Sequence, residues 1–155
     1  MPSSLTVPDR FPAAADAPRR RIQRLRSAES LRLAGTSPLG RLVFNLYGVP
    51  TIRPVNHIVE GEDIIFRTHG DSAVVEALGT GEMLVAYEVD HFDLDARLGW
   101  SVVINGTARR VLDVREAARY LALTDPWLDN GRDKNYVIRI RPKLVFGFQV
   151  VPDEE

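Results

Sequence analysis

The sequence predicts a mainly β domain with short helices, its six or seven strands closing into an antiparallel barrel or sandwich. Three observations lead there. After Gly40 the apolar residues alternate with a period of two in run after run, glycine and proline separate the runs at hairpin spacing, and only three short stretches have a helical period. Connections that short leave no room for the crossovers of a parallel sheet. At 155 residues the chain suffices for one core and is short for two.

Residues 1–26 hold Pro2, Pro8, Pro12 and Pro18 among six arginines and almost no apolar periodicity, which predicts a flexible arm ahead of a domain at 27–155. Next, SAESLRLAGTSPLG reads as a short helix with Ser27 as N-cap, stopped by Gly35 and Pro38. In RLVFNLY, Leu42, Phe44 and Leu46 alternate with Val43, Asn45 and Tyr47 as a first strand. Gly48 and Pro50 turn it into a second over about residues 51–59, and Gly61 leads to a third at 64–68. SAVVEAL is helical and closed by Gly79 and Gly81. Two long alternating strands follow, MLVAYEVD and GWSVVINGTARRVLD. The alternation of the second runs straight through Asn105-Gly106, so a bulge inside one bent strand is expected there rather than a hairpin turn. VREAARYLAL is an amphipathic helix with Val114, Ala117, Ala118 and Leu121 on one face. YVIRIR and VFGFQV, on either side of Pro142-Lys143, are the last two strands.

Composition excludes several functions. A 45 % hydrophobic, 26 % charged chain of net charge −1 exerts no general pull on nucleic acid or anionic membrane, and neither is expected as a partner. The absence of cysteine removes disulfides, thiolate catalysis and iron–sulfur clusters. No apolar run approaches the roughly 18 residues of a membrane helix, and no signal-peptide core follows Met1, so a cytoplasmic location is expected. Asp90, His91, Asp93 and Asp95 lack the glycine and terminal glutamate of a calcium loop and read as a solvated loop, so no metal is expected. No G-x-S-x-G, Walker A or G-x-G-x-x-G motif is present.

The informative stretch is PVNHIVEGEDIIFRTHGDS, residues 54–72, where Asn56, His57, Arg67, Thr68, His69 and Ser72 surround one hairpin. Ordinary strands keep polar residues on one face; here both faces have them. Hydroxyls and turn N–H groups, with Arg53 and Arg67 as fixed positive charge, suit a phosphate or another anion. On composition alone a polar exposed hairpin is the simpler account of the same residues.

From Gly40 to about Val151, the order GRLVF, PVN, FRT, EVD, GWSVVINGTA resembles the pyridoxamine 5′-phosphate oxidase-like split barrels, specifically the small flavin-binding branch that includes nitroimidazole-resistance proteins. The resemblance implies an antiparallel split β-barrel and a homodimer with FMN in a cleft at the subunit interface. It implies that Arg53, Pro54, Val55, Asn56 and His57 run beside the flavin ring, that Arg67, Thr68 and Ser72 reach its phosphate, and that Trp100 and Ser101 lie near the ring. The implied activity is reduction of a small organic or nitroaromatic acceptor with electrons from NADH or NADPH. Catalytic residues are not implied. Ala73 and Val74 stand where the family usually has basic side chains, which keeps open a deazaflavin cofactor or a non-enzymatic flavin- or haem-binding module.

Overall fold

The structure is a computed structural model that describes residues 19–128 and 133–153. Among the described residues, seven strands and three helices follow in the order β1 (Arg20–Leu25), α1 (Ser27–Thr36), β2 (Leu39–Leu46), β3 (Val49–Glu60), β4 (Asp63–Thr68), α2 (Ala73–Leu78), β5 (Glu82–Asp93), β6 (Leu98–Arg110), α3 (Val114–Leu123) and β7 (Tyr136–Pro152). All pairings are antiparallel, in the order β1-β7-β4-β3-β2-β5-β6, and β6 pairs back onto β7 to close the barrel. Among the described residues, no helix is long and apolar enough to cross a membrane.

Alternation dictates the interior. Leu42 and Phe44 of β2, Ile64 and Phe66 of β4, Tyr87 and Val89 of β5, Val102 and Ile104 of β6, and Ile138 and Ile140 of β7 point inward and form the main core. The opposite face of β4 and β7 carries Ile65 and Val137, which pack with Val111 and Tyr120 in a smaller cluster under α3.

Several expectations are corrected. Within the arm expected over 1–26, Arg20–Leu25 is strand β1, in register with β7 from Arg20↔Pro152 to Leu25↔Gly147; residues 1–18 lie outside the described residues. The last two strands are one 17-residue strand, β7, because the chain accommodates Pro142-Lys143 with a bulge instead of a turn. Asn105 opposes Leu144 while Gly106 opposes Pro142, so the extra residue, Lys143, lies on β7; β6 runs on without interruption. Gly106 is needed there because a Cβ would come within 2.3 Å of the Arg141 carbonyl oxygen. The N-cap of α1 is Arg26, not Ser27, and it makes no side-chain cap; Ser30 Oγ instead donates to Arg26 O at 3.0 Å. The packed face of α3 is Ala117, Tyr120 and Leu121, while Val114, in the first turn after the Asp113 cap on Glu116 N, is 82 % exposed and Ala118 is exposed too. Asp90 to Asp93 belong to β5 rather than to a loop, and Asp93 Oδ1 accepts from the N–H groups of Asp95 and Ala96 to tie the turn that follows.

Candidate functional site

The site begins where two strands part. β3 pairs with β2 along residues 49–56 and with β4 only along 57–60, from His57↔Phe66 to Glu60↔Asp63. Beyond Phe66, β4 leaves β3 and follows β7, with Arg67 opposite Val137 and Thr68 opposite Tyr136. The edge of β3 over Arg53–Asn56 is therefore open on the β4 side. A cleft of about 430 Å³ fills the gap, with that edge on one side and Arg67, Thr68, His69 and Ser72 on the other. A strand edge presents side chains of both faces, which is why the polar residues of this hairpin do not keep to one side.

Seven of the ten residues singled out from the sequence line the cleft: Arg53, Pro54, Val55, Asn56, Arg67, Thr68 and Ser72. Their bonds differ in kind. Asn56 is buried, donates to Pro38 O at 3.2 Å and accepts from Leu128 N at 3.1 Å. Arg67 donates through Nε to Lys134 O at 2.8 Å and through Nη1 to Leu121 O and Thr124 O, both at 3.4 Å. Its charge thus serves carbonyls at the end of α3 and beyond, where a helix end favours a cation. Ser72 caps α2, its Oγ accepting from Val75 N at 3.3 Å. Thr68 is buried in the wall. Arg53 Nη1 donates to Ile52 O at 2.8 Å and the side chain is exposed. His69 pairs with Asp71 at the rim.

Three of the ten are elsewhere. His57 is 5 % exposed, with Nε2 2.8 Å from Ala34 O and Nδ1 2.5 Å from the Tyr87 hydroxyl, so it ties α1, β3 and β5 together inside the barrel. Burial holds its pKa below the usual histidine value against the Ala34 hydrogen bond. Trp100 and Ser101 are neighbours on β6 and so face opposite ways. Trp100 packs against the main core and borders a small cavity with Pro38 and His91, while Ser101 is buried opposite Asp90 and Phe148.

Reading the sequence alone missed Lys134, which lines the cleft and is 9 % exposed. Nothing local marks GRDKNY as part of a site, since a contact 67 residues long brings it to Arg67. Arg53, Arg67 and Lys134 against Asp71 leave the cleft positive, and with the Thr68 hydroxyl they are a donor set for an oxyanion. Ala73 and Val74 both line the cleft, and Val74 also packs into the main core at 3 % exposure, so these two positions bring apolar surface to the cleft and no charge.

A barrel that closes through β6 and β7 and parts between β3 and β4, with a cationic cleft at the parting, has the architecture of a split-barrel protein. The chain belongs to the pyridoxamine 5′-phosphate oxidase family, whose model matches residues 26–149. It is similar to the uncharacterized protein Rv0080 of Mycobacterium tuberculosis, at 38 % identity over 137 residues, 86 % of this chain and 89 % of that protein. The structure of an FAD binding protein from Mycobacterium smegmatis superposes with a TM-score of 0.63 at 25 % identity, covering 83 % of this chain and 98 % of that one. A Bacteroides thetaiotaomicron structure named for 5-nitroimidazole antibiotic resistance reaches a TM-score of 0.66 over 84 % of this chain and 89 % of its own, but at 12 % identity it speaks for the fold alone.

Proposed function

We propose that this protein is a flavin-binding oxidoreductase that takes FMN with its phosphate end in the cleft between β3 and the β4–α2 turn. The observation that carries this reading is the convergence of Arg53, Arg67, Lys134 and Thr68 where β3 and β4 separate. Membership of the pyridoxamine 5′-phosphate oxidase family and the likeness to an FAD binding protein support it. At about 430 Å³ the cleft accommodates one end of such a ligand, so the ring must extend toward the open side. The flavin supplies the electron transfer; the protein supplies position, charge and exclusion of water. Thr68 offers a hydroxyl to the phosphate, Asn56 holds the wall of the cleft to β2's approach and to Leu128, and Pro54 and Val55 give an apolar edge for the ring. NADH or NADPH is the proposed electron donor, and a small organic acceptor the substrate.

A homodimer belongs to this proposal. Ile52, Leu84, Leu144 and Phe146 are 46–69 % exposed on the outer face of the sheet, an apolar surface suited to a second copy that would close the open side of the cleft. A second reading, a flavin-binding module without turnover, is favoured by His57, whose two ring nitrogens are engaged by Ala34 and Tyr87 and so are withdrawn from acid–base use. Absorbance spectra of gently purified protein, followed by titration with FMN, FAD and deazaflavin, test the proposal. FMN binding that Thr68→Ala weakens about tenfold is the expected result. Absence of binding to every flavin would refute it, and oxidation of NADH or NADPH by the yellow protein separates the enzyme from the module.

A further inference from the structure

We infer that Lys134, carried into the cleft by the segment after α3, is the residue that grips the phosphate of the bound flavin, and that Arg67 acts through it; this rests on the flavin reading above. The three cations of the cleft are not equivalent. Arg53 is exposed and already donates to the backbone of its own strand. Arg67 spends Nε and Nη1 on the carbonyls of Lys134, Leu121 and Thr124. Lys134 is nine-tenths buried, lines the cleft, and has no hydrogen bond or ion pair from its ammonium among the described residues.

With its stem packed into the wall and its ammonium open to the cleft, Lys134 favours an acceptor or a counter-charge brought to that spot. Among the described residues that line the cleft the one carboxylate, Asp71, is at the rim paired with His69. A phosphate supplies both the negative charge and the acceptor oxygens. The bond from Arg67 Nε to Lys134 O, spanning 67 residues, explains how the lysine is held there. Leu128 N, bonded to Asn56 Oδ1, pins the same segment at a second point. Two residues whose types suggest direct ligand contact therefore work in part by fastening the wall that presents the lysine. A lysine brings a point charge without a fixed fork, so it selects for the charge of the group more than for its shape.

FMN and riboflavin share a ring and differ by the phosphate, so their affinities isolate the contact. The wild-type chain should bind FMN about ten- to a hundred-fold more tightly than riboflavin. Lys134→Met should bring FMN down to the riboflavin level without changing riboflavin binding, and Lys134→Arg should retain part of the preference. Arg67→Ala should lose part of it, and the double variant Arg67→Ala/Lys134→Met should bind FMN no more weakly than Lys134→Met alone. Thermal unfolding checks that each variant is folded. A Lys134→Met protein that keeps the full FMN preference overturns the inference while leaving the flavin site intact, as does one that loses riboflavin equally. A wild-type chain that binds neither compound overturns both readings.

Discussion

His57, Tyr87 and Glu88 show how single residues of one barrel set opposite pH responses. Tyr87 lies inside, fully buried against His57, and burial and then the charge of Glu88 push its hydroxyl well above the ordinary tyrosine value. Glu88 faces outward beside Asp90, with Arg41 3.2 Å away. Burial, then the hydrogen bond and like charge of Asp90, raise its carboxyl from 4.5 to about 7. The folded state thus holds a proton on Glu88 that the unfolded chain releases. Its contribution to stability is fully present below pH 4.5 and is lost as pH rises to about 7. The depressed pKa of His57 acts the other way: its contribution is present above about 6.5 and is lost as pH falls through the folded value. Glu88→Gln removes the first response and leaves the second. Its Tm should therefore climb more steeply than the wild-type Tm between pH 5 and 7, by about 2–4 °C, corresponding to about 1 kcal/mol once solvent screening of a partly exposed carboxylate is allowed for. Parallel Tm profiles for the two proteins would exclude this role for Glu88.

Among the elements, β1 and β7 depend on each other. RRIQRL has Ile22 and Leu25 as its only apolar residues, and Ile22 is 73 % exposed, so the segment has little hydrophobic reason to be a strand by itself. It is one because residues 147–152 of β7 extend past the end of β4 and offer an unpaired edge. The arginines suit that position, since charge on an edge strand discourages further pairing. Arg24 also lies over the Phe146 ring at 5.1 Å, and Arg20 donates to Ala96 O at 3.3 Å. Removal of residues 1–25 should cost about 2–4 kcal/mol in urea denaturation, from a few net hydrogen bonds and this stacking, and should promote association through the bared edge. An unchanged midpoint would mean that β1 contributes nothing. A second long-range tie joins α3 to the barrel: Arg139 of β7 bonds Glu116 and the Tyr120 hydroxyl. Its Nε lies 3.2 Å from Asp63 Oδ2 but off the hydrogen-bonding direction, so that contact is ionic only.

For the whole molecule the open question is what covers the outer sheet. Register places Ile52, Val43, Ala86, Asn105 and Leu144 in one row across five strands, facing away from the core. Leu84 and Phe146 flank the row. Glu88 and Arg41 lie on the same face, where they give it polarity and a register for a second copy. The homodimer proposed above predicts that Leu84→Glu combined with Leu144→Glu weakens self-association at least about a hundred-fold in sedimentation, while far-ultraviolet dichroism is retained. A wild-type chain that sediments as a monomer at micromolar concentration would remove this part of the proposal.

What the sequence alone determined is local. Period-two alternation identified the strands from Leu42 to Val111 because side chains on a pleated strand alternate regardless of their partners. Two-faced polarity around residues 53–72 likewise marked the hairpin from which nine residues line one cleft. Only the tertiary structure decided the rest. It placed β1 on the far end of β7, turned Pro142-Lys143 into a bulge opposite Gly106, withdrew His57 into the core and brought Lys134 to Arg67. Each of these depends on a partner distant in the chain, and a neighbour set by closure of the barrel leaves no periodic trace in the residues that will meet it.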